Sequence, residues 1–326
     1  MNTGQWRSKA SNEILLERAL MLKNIRAFFD GRGVIEVETP LLSRYATTDP
    51  HLESLRSCFR DQVCYLNTSP EYAMKRLLAG SKQAIYQICK AFRDDELGAN
   101  HNPEFTLLEW YRPDFDDLQL MAELAELITA LFDGSGIQAE FIYKSYQQVF
   151  EESLALDPHQ ASAAECYAAA VNNNVEIPQG LTVDDDVNDW LDWLLTQKVL
   201  PAFSKDSFTF VYDYPAAQCA LAKIAYNEQQ VPVAKRFELF FGEMELANGF
   251  YELTDATEQL LRFQRENKVR QLNELKPADI DKNFIAALNF GLPECAGVAV
   301  GLDRLLMVKT ACAQIDQVLT FSWESI

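Results

Sequence analysis

The sequence predicts an α+β fold on three observations. A run of helical periodicity opens the chain, two pairs of strand-like segments are each joined by a polar turn, and further helical runs follow them. With 326 residues, 48% hydrophobic and 24% charged, the chain can bury a full core in one large domain or two ordinary ones. No internal repeat, low-complexity tract or flexible linker interrupts it.

From Ser11 to Asp30, Ile14, Leu15, Leu22, Ile25 and Phe29 recur at helical spacing, and Gly31 and Gly33 follow where a helix would stop. Val34 to Thr39 reads as a strand ended by Pro40. Cys64 to Thr68 is a second strand candidate, and Ser69 with Pro70 gives an N-cap and first-turn signal for a helix ending near Gly80. Ala84 to Arg93 and Glu104 to Tyr111 form a long hairpin around a loop of Asp, Gly, Asn and His residues. A helix over Leu118 to Phe132 follows, with a breaker at Asp133 to Gly136. Later strands are expected at Thr209 to Tyr212, Lys235 to Phe241 and Glu243 to Ala247, the last two meeting at Gly242. Helices are expected at Ala256 to Leu272, Lys282 to Phe290 and Leu302 to Thr310, the last running out of a small-residue strand or turn at Gly297 to Gly301.

The balance of 29 basic against 48 acidic residues gives a net charge of -19, which opposes binding to a phosphate backbone. Residues 151–200 hold 10 acidic side chains and one basic one, Lys198, and read as an acidic helical insertion, available for docking or for solubility. Seven scattered cysteines without a CxxC pair suit a reducing compartment and read as buried thiols. Charged residues interrupt the first thirty positions, so neither a signal peptide nor a membrane span is expected there, and the protein is expected in the cytoplasm.

The sequence contains no GxxxxGK[ST], GxGxxG, HExxH or GxSxG signature. Two arginines are candidates for phosphate contacts, because a guanidinium offers a planar fork that stays charged. Arg93 follows a strand and Arg304 begins a helix; the bland reading of each is a surface salt bridge. At the period of two, Phe105, Leu107, Glu109 and Tyr111 share one strand face and Glu104, Thr106, Leu108 and Trp110 the other. Glu238 and Glu245 flank the Gly242 turn and can converge as oxygen ligands for Mg²⁺; by spacing alone they are surface glutamates. Glu71, Glu109 and Glu252 are acidic candidates for an amine, with a solvated face as the alternative for each. His101 is available to donate to a phosphate or to be simply solvated, and no zinc spacing is present.

These segments together resemble the catalytic domain of the class II aminoacyl-tRNA synthetases. GVIEVETP (Gly33 to Pro40) resembles the first family motif, FRDDE with HNPEFT (Phe92 to Thr106) the second, and GVAVGLDR (Gly297 to Arg304) the third. SPEYAMKRLLAG (Ser69 to Gly80) and FELFFGEMELANGFYELTDA (Phe237 to Ala256) are similar to the lysyl-tRNA synthetase subgroup. The resemblance implies a single catalytic domain over residues 1–326, with a mixed, mainly antiparallel sheet flanked by helices, and a homodimer built through the first motif. It implies that Arg93 grips the ATP α-phosphate, Phe105 stacks on adenine and Arg304 lies near the γ-phosphate. Asp94, Asp95, Asn102, Leu246 and Gly301 would complete the ATP site, with His101 near the phosphate tail and Glu238 and Glu245 on Mg²⁺. Ser69, Pro70, Glu71, Glu109, Tyr111, Asn248, Glu252 and Ala299 would line the lysine pocket, Glu252 facing the side-chain ammonium.

Three departures redirect the acceptor. The sequence starts at the helix before the first motif, so no anticodon-binding domain is expected. Arg-Asp-Asp replaces the usual Arg-x-Glu at Asp95, and Ala299 stands where lysyl-tRNA synthetases carry glycine. All three fit a truncated relative that adenylates (R)-β-lysine and transfers it to a lysine ε-amine of elongation factor P. The alternatives are a free-standing ligase that activates lysine for tRNA or a small amine, and a non-catalytic regulatory paralogue.

Overall fold

The computed structural model describes residues 6–94 and 97–326. The chain forms two compact units, Met1–Gln138 with Leu253–Ile326, and Ala139–Glu252. In the first, helix α1 (Asn12–Asp30) starts where the Ser11 side chain accepts from the Ile14 amide, and it buries Met21, Ile25 and Phe29. The strand expected over residues 34–39 shortens to β1 (Ile35–Glu36), because only two residues find a parallel partner. Strands β2 (Leu42–Ser43), β3 (Arg56–Phe59) and β4 (Gln62–Leu66) make a small antiparallel sheet in the order β2-β4-β3. The β3–β4 turn places Arg60 and Asp61 at φ 49° and 62° without a glycine, which is why the sequence does not announce it. Helix α2 (Glu71–Ser81) is capped by Pro70 rather than Ser69, whose Oγ instead accepts from the Glu71 amide at 3.4 Å.

Strands β5 (Ile85–Phe92) and β6 (Glu104–Pro113) form the expected hairpin, in unbroken register from Ile85↔Tyr111 to Phe92↔Glu104. Helix α3 (Asp117–Phe132) then begins in a capping box made by Asp116 and Gln119.

The second unit contains β7 (Phe141–Ser145), α4 (Tyr146–Leu154), α5 (Ala163–Asn172), α6 (Val187–Leu194), β8 (Phe208–Pro215), β9 (Ile224–Tyr226), β10 (Pro232–Phe241) and β11 (Met244–Tyr251). Its strands run β11-β10-β8-β7, antiparallel except for the β7–β8 pair, with β9 alongside β10. Its core gathers Tyr146, Phe150, Trp190, Leu194, Val211, Tyr214 and Phe240. The acidic segment lies here, its charges on the outer sides of helices whose Trp190, Leu191 and Leu194 are buried.

Helices α7 (Ala256–Leu272) and α8 (Lys282–Gly291), strand β12 (Cys295–Gly301) and helix α9 (Leu302–Thr310) complete the first unit. There β12 extends the hairpin to the order β1-β5-β6-β12, pairing antiparallel with β6. Each unit thus carries mixed, mainly antiparallel strands packed by helices. The seven cysteines are unpaired, but Cys58 is exposed on the outer strand of the small sheet, which corrects the expectation that all are buried thiols. Among the described residues no helix is long and apolar enough to cross a membrane.

Candidate active site

The hairpin of the first unit sorts its residues as alternation requires. On one face Leu108 and Trp110 are fully buried, and Trp110 Nε1 donates to Glu123 at 3.0 Å. Burial raises the Glu123 pKa, against the pull of nearby Arg112. The other face brings Phe105, Glu109 and Tyr111 together with residues of β5 and β12. Glu109 is 2% exposed, which removes the solvated-face alternative for it. It sits directly between Gln87 on β5 and Ala299 on β12, so an amide, a carboxylate and a methyl form one row across three strands.

Around that row, Tyr111 donates to Glu109 at 2.7 Å, and Thr39 donates to Gln87 at 2.9 Å. Burial, with the Glu109 charge behind it, pushes the neighbouring Cys89 thiol up to about 12. The row is therefore dry enough for a carboxylate to act strongly on a cation. From Cys295 to Val300, Ala299 alone escapes full burial, so its methyl faces accessible space.

At the far end of the same face the Arg93 guanidinium lies 5.1 Å from the centre of the Phe105 ring. Both are partly exposed, which leaves room for a planar group on the ring and an anion at the guanidinium. Asp94 follows at the surface, and its amide donates to Glu53 O at 2.9 Å. Asp95, expected at the adenine, lies outside the described residues. His101 closes the loop through a bridge to Gly98. Asn102 is 6% exposed and spends its side chain within the protein: Nδ2 donates to Glu104 O and Oδ1 accepts from the Trp323 amide. Arg304, just beyond Gly301, donates from Nε to Asn100 O at 3.1 Å, so it is tied to this loop. Its helix is anchored in turn by Asp303, which accepts from the Thr106 amide at 2.6 Å and pairs with Arg18.

Helix α2 contributes Glu71 in its first turn, beside Ser69 and Pro70. Lys75, one turn on and 1% exposed, donates to Glu71 at 2.6 Å and fixes its carboxylate.

In the second unit the β10–β11 hairpin is not regular. Glu238 faces Asn248 and Leu239 faces Ala247, but Phe240 faces Glu245, so β11 holds one extra residue and the register shifts between Leu239 and Phe240. The bulge turns Glu245 onto the face of Glu238 and Asn248, a face that strict alternation would deny it, and buries Leu246. Glu252, 1% exposed, follows Asn248 on that face and bridges to Ala222. Arg236 donates from Nη2 to Glu238 Oε1, and the Tyr214 hydroxyl donates to Oε2 at 2.8 Å. Burial opposes the Arg236 charge, but Glu238, Tyr214 and Glu245 outweigh it and raise its pKa.

Residues 2–325 match the model of the family "tRNA synthetases class II (D, K and N)". The chain belongs to that family. A protein of Pseudoalteromonas translucida is 45% identical, with 98% of each chain covered. One of Sodalis glossinidius is 42% identical over 99% of each chain, and one of Pasteurella multocida 42% over 98%. All three bear the name elongation factor P–(R)-β-lysine ligase.

In this family member the chemistry of the second hairpin fits a hard divalent cation. Glu238 and Glu245 share a face with Asn248, whose buried Oδ1 has no hydrogen-bond partner. Arg236 and Tyr214 take one lone pair on each Glu238 oxygen, and each oxygen has another. Among the described residues no group of three or more His, Cys, Asp or Glu side chains is arranged to hold a metal. Such a site suits Mg²⁺ that arrives with phosphate oxygens rather than one caged by protein.

Sequence reasoning missed Gln87, Lys75, Tyr214 and Arg236. Gln87 had a signal, being a lone polar side chain in the apolar run IYQIC, placed opposite Glu109 once the hairpin register is drawn. Arg236, next to a phenylalanine in a strand, had none. An open cleft of about 520 Å³ between α1, β1 and Tyr86 contains none of the predicted site residues.

Proposed function

We propose that this protein uses ATP to activate (R)-β-lysine as its adenylate and transfers the β-lysyl group to a lysine ε-amine of elongation factor P. The observation that carries the proposal is the name shared by relatives 42–45% identical over 98–99% of both chains. The local geometry supports it: the Arg93–Phe105 pair suits a nucleotide, and buried Glu109 suits an amine.

In this reading Phe105 stacks on adenine, with Asp94, Asp95, Leu246 and Gly301 as further ATP contacts, Asn102 fixing the loop beside them through its bonds to Glu104 O and the Trp323 amide, His101 at the phosphate tail and Arg304 at the γ-phosphate. The substrate carboxylate attacks the α-phosphorus, the bond to pyrophosphate breaks, and Arg93 balances the charge that builds on the α-phosphate oxygens. Glu238 and Glu245 would hold Mg²⁺, which would supply further neutralisation of the phosphates. Ser69, Pro70, Glu71, Glu109, Tyr111, Asn248 and Glu252 receive the amines and carboxylate of the substrate, and Glu252 takes the side-chain ammonium. The acceptor ε-amine then attacks the acyl carbon, AMP leaves, the amide bond forms and the amine gives up its proton. Positioning does most of this chemistry.

ATP–pyrophosphate exchange with α- and β-lysine side by side, followed by transfer of labelled β-lysine, tests the proposal. Exchange with β-lysine in preference and label on elongation factor P are expected; label on tRNA, or no exchange with either isomer, would reject it. Ala299 is the specificity residue in this reading, its methyl disfavouring α-lysine. Ala299→Gly should improve activation of α-lysine relative to β-lysine by roughly 1–3 kcal/mol, and an unmoved ratio of kcat/KM values removes that role. A cytoplasmic homodimer belongs to the same proposal. Leu16, Leu20 and Ile35, exposed at 71%, 47% and 46% on α1 and β1, support self-association there, and sedimentation as a monomer would reject it.

A further inference from the structure

Arg236 is a cation placed among groups that a metal would also use. Its Nη2 is bonded to Glu238 Oε1, its Nη1 donates to Gln218 O at 3.0 Å, and its guanidinium lies 4.5 Å from the Tyr214 ring centre and 6.0 Å from that of Phe250. The side chains of Arg236 and Glu238 are only 15% and 12% exposed. Glu245, brought to this face by the bulge, adds its charge to the same guanidinium. Yet the buried Nε of Arg236 finds no acceptor, so the arginine is held by its charge and rings rather than by a full set of hydrogen bonds. Tyr214 grips the second oxygen of Glu238 independently, which keeps the carboxylate in place when the guanidinium turns away.

We infer that Arg236 is the resident counter-charge of the Glu238–Glu245 pair, neutralising it in the nucleotide-free protein so that a divalent cation enters only together with the phosphates of ATP. This rests on the proposed metal role of the two glutamates. Two half-buried carboxylates without a counter-charge would repel each other and attract any divalent ion, whereas a guanidinium paired with Glu238 and within the field of Glu245 cancels part of that charge. The polyphosphate supplies the missing negative charge, and the cation then binds beside an arginine it would otherwise avoid. Arg236 in this account is a positioning residue that acts on metal binding through Glu238 and touches no substrate atom.

Mn²⁺ titration followed by electron paramagnetic resonance, on the full chain with and without α,β-methylene-ATP, tests the inference. Arg236→Gln keeps a donor for Glu238 but removes the charge, and should tighten Mn²⁺ binding to the nucleotide-free protein at least fivefold. Arg236→Lys keeps the charge and should not. Unchanged or weaker Mn²⁺ binding in the folded Arg236→Gln protein would overturn the inference. If that variant does not fold, Arg236→Met is judged by the same measure; loss of the fold in both would also overturn it, since the guanidinium would then be a structural bond. The underlying metal assignment fails separately, if Glu238→Gln leaves Mn²⁺ binding in the presence of the nucleotide analogue unchanged.

Discussion

The β5–β6 and β10–β11 hairpins both present carboxylates, yet they do so by different means. In β5–β6 the ladder is unbroken, so Phe105, Glu109 and Tyr111 reach one face by alternation alone, while Trp110 goes to the other. In β10–β11 a bulge reverses the facing of Glu245, and the glutamates that share a face are seven residues apart around a turn. A regular ladder fixes its functional face with every side chain in it, so one residue can change without disturbing the rest. A bulged ladder gains a side chain that alternation would exclude, at the cost of a local geometry that few substitutions respect.

The largest expected effect probes the regular hairpin. Arg93→Ala should lower the rate of ATP–pyrophosphate exchange by about 10²–10³-fold, the loss typical of one preorganised donor to a developing charge. Its thermal unfolding should stay close to that of the parent, because Arg93 borders the ladder rather than packing within it. A matching drop in stability would show that the two hairpins are not different in kind.

Next comes the bulged hairpin. A Cβ built on Gly249 would lie 2.4 Å from the Phe237 ring, which is fully buried and packed edge-on to Phe210 at 5.8 Å. Gly249→Ala should cost about 1–3 kcal/mol in denaturant unfolding, because the ring has nowhere to move. A neutral result would show that this hairpin yields more than its close approach suggests. The smallest effect returns to the far face of β6, where Trp110→Phe takes a donor from buried Glu123 but leaves Arg112 at 3.6 Å and Arg32 at 3.8 Å. A loss of about 1–2 kcal/mol is expected in the same assay, with adenylation unchanged once the protein is folded.

The same contrast explains what was legible in the sequence. Helices α7 and α9 match their expected bounds, since Asp255 caps one and Gly301 precedes the other. The β5–β6 hairpin was readable because period two and a polar loop agree. The small sheet was half readable: β4 lies two residues before its expected place, because its register comes from β3 across a turn with no glycine or asparagine. Helices α5 and α6 were visible only as an acidic, helical stretch, and their core residues Cys166, Ala170, Trp190 and Leu194 are too sparse to mark the individual elements. For the site, spacing supplied Glu238 and Glu245 as a pair, but the bulge that aligns them leaves no mark on composition. Neither does the arginine paired with Glu238.

The loop from Leu97 to Asn102 has a consequence for the timing of synthesis. It is held by Arg304 at Asn100, by the Ile315 amide at Ala99 and by the Trp323 amide at Asn102. Two of these bonds join positions 204 and 221 residues apart. Ribosomes add about 5–20 residues each second, so the hairpin exists for roughly ten to forty seconds before the partners of its loop emerge. Over that interval the nascent chain can pair β5 with β6 and bridge Gly98 to His101, since these contacts are local, but the loop lacks its distant anchors. Closure of this loop thus waits, by connectivity alone, for the C-terminal segment that anchors it.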